Sequence, residues 1–340
     1  DQVMYYREDK AGQILQEGIN EAGAMSSWIA AATSYSTNNR VMVPFYTFYS
    51  MFGLQRIGDL AWAAGDMRAR GFLLGGTAGR TTLNGEGLQH EDGHSHVLAS
   101  TIPNCISYDP TFAHEVGVIM HDGLKRMIER QEDVFYYINL MNENYSHPGL
   151  KAGQEEGILK GLYLLQEGEK KNKHRVQLMG SGTILREVIA AADLLKNDWG
   201  IDADVWSAPS FTLLARDGQD VERWNMLHPA DNTPRVAYVT QCLQNTNGPI
   251  VASSDYMRTF AEQIRAFMPK GRSYKVLGTD GFGRSDTREK LREFGVGERH
   301  DVGVAALKSL SDVGALSASV VAQAITKYGI NANKPNPVTL

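Results

Sequence analysis

Apolar residues Ile14, Leu15, Ile19, Ala22, Met25 and Ile29 recur at steps of three to four between residues 10 and 33, which predicts an amphipathic helix with Glu21 on or beside its apolar stripe. Val41-Met42-Val43-Pro44-Phe45 reads as a short buried strand ended by an aromatic cluster. A helix over 56–67 and a strand over 71–75 follow, and then strand, helix and strand over 101–108, 112–130 and 134–140. A polar stretch at 151–175, with the run Glu167-Gly168-Glu169-Lys170-Lys171-Asn172-Lys173, interrupts the rhythm and predicts a linker between a first domain at 1–150 and a second at 176–340. The second unit is expected to place strands at 176–179, 203–207, 250–253 and 274–277, with helices from Ile184, Tyr256, Thr287 and Ser319 and a surface tail at 331–340. Short apolar runs alternating with helical periods predict an α/β fold, two three-layer domains on mostly parallel sheets.

Composition narrows the partners. The 340 residues are 42% hydrophobic and 21% charged, the proportions of a globular chain with room for two domains of about 150 residues. A net charge of −5 with scattered Lys and Arg offers no basic footprint, so nucleic acid is not expected as a partner. The longest mostly apolar stretches, 41–48 and 102–108, fall far short of the roughly 18 residues that a spanning helix needs, so no membrane is expected either. Cys105 and Cys242 are distant and form no CxxC pair, which argues against a disulfide framework, a thiolate zinc site and a redox dithiol, and favours a cytoplasmic setting. The start, Asp1-Gln2-Val3-Met4, reads as an interior cut.

Three segments carry candidate chemistry. Gly180-Ser181-Gly182-Thr183-Ile184-Leu185 follows a strand and opens a helix, with Asp202 or Asp204 at the spacing of a dinucleotide site, but the third glycine is missing and a structural turn explains it more simply. Gly75-Gly76-Thr77-Ala78-Gly79-Arg80-Thr81-Thr82 resembles a phosphate loop by composition alone, with Leu74 and Arg80 where glycine and lysine are required. It still offers amide donors to an anion or a cofactor edge. Asn84-Gly85-Glu86-Gly87-Leu88-Gln89-His90-Glu91-Asp92-Gly93-His94-Ser95-His96 holds three of the nine histidines. A metal site there would need a continuous helix to align His90 and His94, which the glycines oppose; a solvated loop is the plain alternative. The third reading is a catalytic loop presenting His90 as acid/base, a role suited to an ordinary imidazole pKa near 6.5.

That loop, together with Gln13-Ile14-Leu15-Gln16-Glu17-Gly18-Ile19-Asn20-Glu21, Ser34-Tyr35-Ser36-Thr37-Asn38-Asn39 and Phe48-Tyr49-Ser50-Met51-Phe52-Gly53, closely resembles the homodimeric bacterial pyruvate dehydrogenase E1 components. The likeness continues through Gly218-Gln219-Asp220, Trp224-Asn225-Met226-Leu227-His228-Pro229 and Gly278-Thr279-Asp280-Gly281-Phe282-Gly283-Arg284-Ser285-Asp286. It implies a transketolase-like fold, here a pyrimidine-binding domain at 1–150 and a transketolase C-terminal-like domain at 176–340. It also implies the cofactors thiamine diphosphate and Mg²⁺, an oxidative decarboxylation of pyruvate, and transfer of the acetyl group to the lipoyl domain of an E2 dihydrolipoyl acetyltransferase.

By the same resemblance Glu21 matches the carboxyl group at N1′ of the aminopyrimidine, with a pKa raised by its apolar surroundings, and Glu17 is its near neighbour without a role. Phe52 and Tyr49 match the aromatic wall around the ring. Tyr49 and His90 match the polar groups facing pyruvate, and Glu86 the carboxylate that orients the loop or binds the pyrimidine side. The expected catalytic residues are thus Glu21, His90 and Tyr49, and the cofactor-binding ones Glu21, Phe52, Tyr49 and Glu86, with no metal ligand. The family holds diphosphate and Mg²⁺ through a Gly-Asp-Gly motif, which these residues lack, so the metal's ligands are expected in a further N-terminal domain and independent turnover by this chain is not expected. Two other readings stay open: a non-catalytic dimerisation or scaffold fragment, and a metal-dependent hydrolase using His90, His94 and His96.

Overall fold

Strands of a parallel sheet are covered on both faces, so they run as near-continuous apolar segments whose alternate residues serve opposite layers. The computed structural model, which describes residues 9–77, 79–169, 172–295 and 297–340, shows this arrangement twice, except that the edge strand at 45–49 leaves Phe45, Thr47 and Tyr49 exposed. Strands β1 (Phe45–Tyr49), β2 (Phe72–Gly76), β3 (Cys105–Tyr108) and β4 (Phe135–Leu140) form one all-parallel sheet in the order β1-β2-β4-β3. The second sheet joins β5 (Tyr163–Gln166), β6 (Arg175–Gly180), β7 (Asp202–Ser207), β8 (Ile250–Ser253) and β9 (Tyr274–Leu277) in the order β5-β7-β6-β8-β9, with β5 antiparallel at the edge.

Alternation decides which layer each side chain enters. Phe72, Leu74, Tyr136 and Ile138 pack with Ile119 and Met127, while Leu73, Phe135 and Tyr137 face Met25, Trp28 and Leu54. In the second sheet Leu178 and Val205 meet Leu185 and Val302, whereas Met179 and Trp206 meet Phe211 and Tyr256. Each sheet therefore lies between helices, and the expected three-layer α/β class holds for both.

Loops leaving the carboxyl ends of the two sheets meet in a polar seam. Glu115, fully buried, accepts the N–H groups of Thr111 at 2.6 Å and Phe112 at 2.9 Å, and also the hydroxyls of Tyr163 at 2.8 Å and Ser207 at 2.6 Å. One carboxylate from the first domain thereby satisfies two donors carried by β5 and β7 of the second.

Several expected elements differ. The helix of 10–33 begins only at Glu21 and ends at Ala32, because Gly18 takes a positive φ of 69° and the side chain of Asn20 caps Gly23 N–H at 3.1 Å. Ile14, Leu15 and Ile19 precede it and are exposed, Ile19 by 98%. The strand expected at 41–45 is instead β1 at Phe45–Tyr49, the aromatic cluster itself. Pro44 has no N–H for the ladder, and its carbonyl accepts from Phe72 N–H and Trp28 Nε1.

Residues 151–175, expected as a linker, instead carry the helix Glu155–Lys160 and β5; Lys170 and Lys171 lie outside the described residues. The strand expected at 101–108 starts at Cys105, and the helix expected at 112–130 runs Ala113–Leu124 before a π-turn at Lys125–Glu129. Helices Phe211–Leu227, Tyr238–Leu243 and Arg299–Asp312 carry no expectation from the sequence, while the one expected from Tyr256 is the short Thr259–Glu262. Asp1-Gln2-Val3-Met4 lies outside the described residues, as does Ala78 in the Gly75–Thr82 segment.

Candidate active site

Ligands of open α/β sheets bind beyond the carboxyl ends of the strands. At that end of β1 stands Tyr49, followed by Phe52 as the residue before the Gly53–Asp66 helix; the His90 loop leaves the neighbouring strand β2. Topology thus brings together two segments some forty positions apart. Tyr49 and Phe52 meet edge to face with centroids 6.1 Å apart, and the His90 ring lies 5.4 Å from Tyr49 and 5.1 Å from Phe52. Glu86 Oε2 is 3.8 Å from His90 Nδ1, a nitrogen that is buried and lacks a hydrogen-bond partner.

Glu21 opens its helix at the position where a carboxylate complements the helix dipole. Its side chain is 19% exposed, and Oε1 pairs with Arg56 Nη1 at 2.7 Å. Arg56, one turn after Phe52 on the same helix, stands over the Phe52 ring at 4.3 Å. Glu21, Arg56, Phe52, His90 and Glu86 form one line of contacts, with Tyr49 flanking the imidazole. Glu17 turns away and accepts from Ser27 Oγ at 2.5 Å. Tyr46, beneath the line, has its hydroxyl pushed up to about 12 by burial and then by the charges of Glu21 and Glu17.

The other histidines of the loop do not converge with His90. His94 Nε2 contacts Gln55 Oε1 at 2.6 Å, and His96 is fully buried among Tyr137, Tyr256 and Phe260. Burial lowers His96 to about 3 and keeps it neutral. Among the described residues no group of three or more ligating side chains could hold a metal ion, so the hydrolase reading on His90, His94 and His96 loses its site. The glycines kept the loop from a continuous helix, as expected, yet a 3₁₀ turn at Leu88–His90 and a helix at Ser95–Ser100 form on either side of Gly93.

Both glycine-rich turns serve the seam. Thr81 N–H and Oγ1 and Thr82 Oγ1 donate to the buried carboxylate of Asp255, so the phosphate-like loop is filled by the protein's own anion. Gly182, at φ 51°, gives its N–H to Asp109 O at 3.0 Å, and Ser181 Oγ reaches Asp109 Oδ2 at 2.7 Å. Asp204 binds the side chains of Arg175 and Gln177, and Asp202 that of Asn172, away from that turn. Two features escape the sequence reading: Arg56, detectable only as a cation four residues after Phe52, and Glu91, the neighbour of His90, which is buried.

Two α/β domains with parallel sheets, and an aromatic, carboxylate and imidazole site at one sheet's carboxyl end, define a protein of the transketolase-like class. Residues 1–148 match the family described as pyruvate dehydrogenase E1 component middle domain, and residues 161–296 the transketolase-like TK C-terminal domain. The chain is 67% identical over 338 residues to the pyruvate dehydrogenase E1 component of Pseudomonas aeruginosa and 62% identical over 338 residues to that of Escherichia coli. Each alignment covers 99% of this chain and 38% of the relative, so the chain spans well under half the length of the relatives it matches. Among solved structures, a transketolase from Leishmania mexicana superposes with a TM-score of 0.64 at 15% identity, over 87% of this chain and 37% of that one. An inactive β4 tetramer of a split-gene transketolase superposes with a TM-score of 0.59 at 17% identity, over 86% and 83%. The chain belongs to the bacterial pyruvate dehydrogenase E1 family.

Proposed function

We propose that this chain supplies the pyrimidine-binding and acid/base side of a thiamine diphosphate-dependent pyruvate dehydrogenase. The observation that carries the reading is the single line of contacts through Glu21, Arg56, Phe52, His90 and Glu86, with Tyr49 beside it. The residues fit a flat, basic heterocycle: a carboxylate beside an aromatic face, and a buried imidazole nitrogen still lacking a partner. When bound, thiamine diphosphate supplies the carbon centre that adds to pyruvate and accepts the electrons left by decarboxylation.

Glu21 binds the ring nitrogen at N1′ and holds a proton there once Arg56 releases it. Phe52 and Tyr49 fix the ring plane and exclude water from one side. His90, with Glu86 beside its Nδ1, moves a proton to or from the oxygen of the reacting pyruvate, with the Tyr49 hydroxyl as donor to the substrate. In this reading Mg²⁺ and the diphosphate are held by residues outside this chain, and the product acetyl group passes to the lipoyl group of an E2 acetyltransferase. A homodimer completes each site, in a cytoplasmic setting that suits the free Cys105 and Cys242. Among the described residues no helix is long and apolar enough to cross a membrane.

The test is made in the full-length enzyme. Glu21→Ala and His90→Ala each abolish pyruvate decarboxylation while leaving circular dichroism and the melting temperature unchanged, and wild-type turnover by either variant sinks the assignment. A scaffold role for the isolated chain draws on one feature, the occupation of Glu21 and the Phe52 face by Arg56. Tight binding of thiamine diphosphate and Mg²⁺ by the 340-residue chain alone, measured by calorimetry, contradicts both a scaffold role and a diphosphate site outside this chain.

A further inference from the structure

His90 makes no hydrogen bond through the ring nitrogen that faces Glu86, so its imidazole is placed by packing against Tyr49 and Phe52 and by the backbone that carries it. The 3₁₀ turn Leu88–His90 ends at Glu91, whose N–H returns to Leu88 O at 3.3 Å. The Glu91 side chain is buried, and its Oε2 accepts the backbone N–H of Arg284 at 2.6 Å. Arg284 lies in the 278–286 loop of the second domain, a motif for which the site described above has no use.

Resting on the active-site reading above, we propose that Glu91 is a positioning residue for His90, clasping the His90 loop to the 278–286 loop so that the imidazole faces Tyr49 and Phe52. Gly283 comes so close that a Cβ there would stand 2.6 Å from both Glu91 Oε2 and Leu88 O. Around this contact the loops are laced together. Arg80 donates to the carbonyls of Thr279 and Gly281, Gly85 N–H to Asp286 O at 3.2 Å, Arg288 Nε to Thr82 O at 2.6 Å, and Met257 N–H to Gly93 O at 2.8 Å. On the far side Asp92 caps the next helix through the N–H groups of His94 and Ser95.

The second oxygen, Oε1, is buried without a partner, beside a small space lined by Arg80, Thr279 and Phe294. A carboxyl so placed is held most cheaply as the neutral acid. The charged groups around it are Arg80 from the loop after β2, Asp255 from the turn after β8, Arg284 across the clasp, and Asp280 on the same loop as Arg284, lining the same small space. Burial is the largest influence and brings Glu91 up to about 7. Rising pH through that value leaves an anionic Oε1 unsatisfied and loosens the clasp.

The experiment measures kcat, KM for pyruvate and the pH profile of the full-length enzyme. Glu91→Ala is expected to lower kcat by about tenfold or more with less change in KM, the scale of a displaced catalytic group. Glu91→Gln, which matches the neutral acid in shape, restores kcat and removes the wild-type decline centred near pH 7. Gly283→Ala keeps Glu91 but forces the loops apart, and reproduces the loss even if the alanine variant at 91 fails to fold. Wild-type kcat in Gly283→Ala and in a folded Glu91→Ala, or a Glu91→Gln enzyme as impaired as Glu91→Ala, overturns the clasp. His90→Ala run alongside separates the two readings, because wild-type activity there overturns the site itself rather than its positioning.

Discussion

The His96 imidazole lies nearly parallel to the ring of Phe260, centroids 4.8 Å apart, where the first domain meets the second. Neither ring nitrogen has a hydrogen-bond partner, and the residue is fully buried. A histidine in this position acts as an aromatic packing unit as long as it stays neutral.

That neutrality makes folding sensitive to acid. The folded value, about 3, lies below the ordinary 6.5, so His96 contributes stability above pH 6.5 and loses it as pH falls from there toward 3. Denaturation midpoints measured across this window will fall less steeply for His96→Phe than for wild type. Equal slopes for the two proteins contradict the assignment.

Asp109 carries the opposite dependence. Burial raises its carboxyl to about 8 against Ser181, which donates to it, so its contribution to stability is present at low pH and is lost as pH rises from about 3.8 through 8. Asp109→Asn therefore stabilises the chain relative to wild type at pH 8 to 9, and the difference closes near pH 4. A constant difference across the range rules out the ionisation as its cause.

Glu115 should be costly to remove, since four donors from three segments converge on it. Glu115→Ala is expected to lower unfolding free energy by about 3 kcal/mol or more in urea titrations, because buried donors are left unpaired. Glu115→Gln, which keeps one acceptor oxygen, should lose less.

The Glu21 and Arg56 pair behaves differently despite its short contact. Arg56 is half exposed, so Arg56→Ala should change stability by only about 0 to 1 kcal/mol in thermal denaturation. A larger loss would show that the pair holds the helix Glu21–Ala32 to the helix Gly53–Asp66 rather than guarding the site.

Strands buried on both faces were the most legible elements. The range 250–253 coincides with β8 because Ile250 to Ser253 is a short, wholly buried run after Pro249, and 274–277 coincides with the edge strand β9, whose Tyr274, Val276 and Leu277 are buried around the exposed Lys275 between Ser273 and Gly278. Periodicity misled at the N-terminal segment, where Ile14, Leu15 and Ile19 carry helical spacing but Gly18 and Asn20 begin the helix later. The edge strand β5 was hidden because Tyr163-Leu164-Leu165-Gln166 is short and sits in polar surroundings, and only its ladder with β7 defines it.

Local chemistry alone made the His90 loop conspicuous, and the family likeness of its residues pointed to Glu21, Tyr49, Phe52 and Glu86. Side-chain type and short-range spacing are properties of the chain, so the sequence determined the α/β class and the set of candidate groups. Which of these groups touch was decided by folding. Parallel pairing of β1 with β2 sets Tyr49 and Phe52 beside a loop some forty residues away, and Arg56 bridges to Glu21 across two helices. The pairing of Glu91 with Arg284 spans the two domains. Contacts between distant segments depend on how sheets and layers stack, and no local pattern encodes that distance.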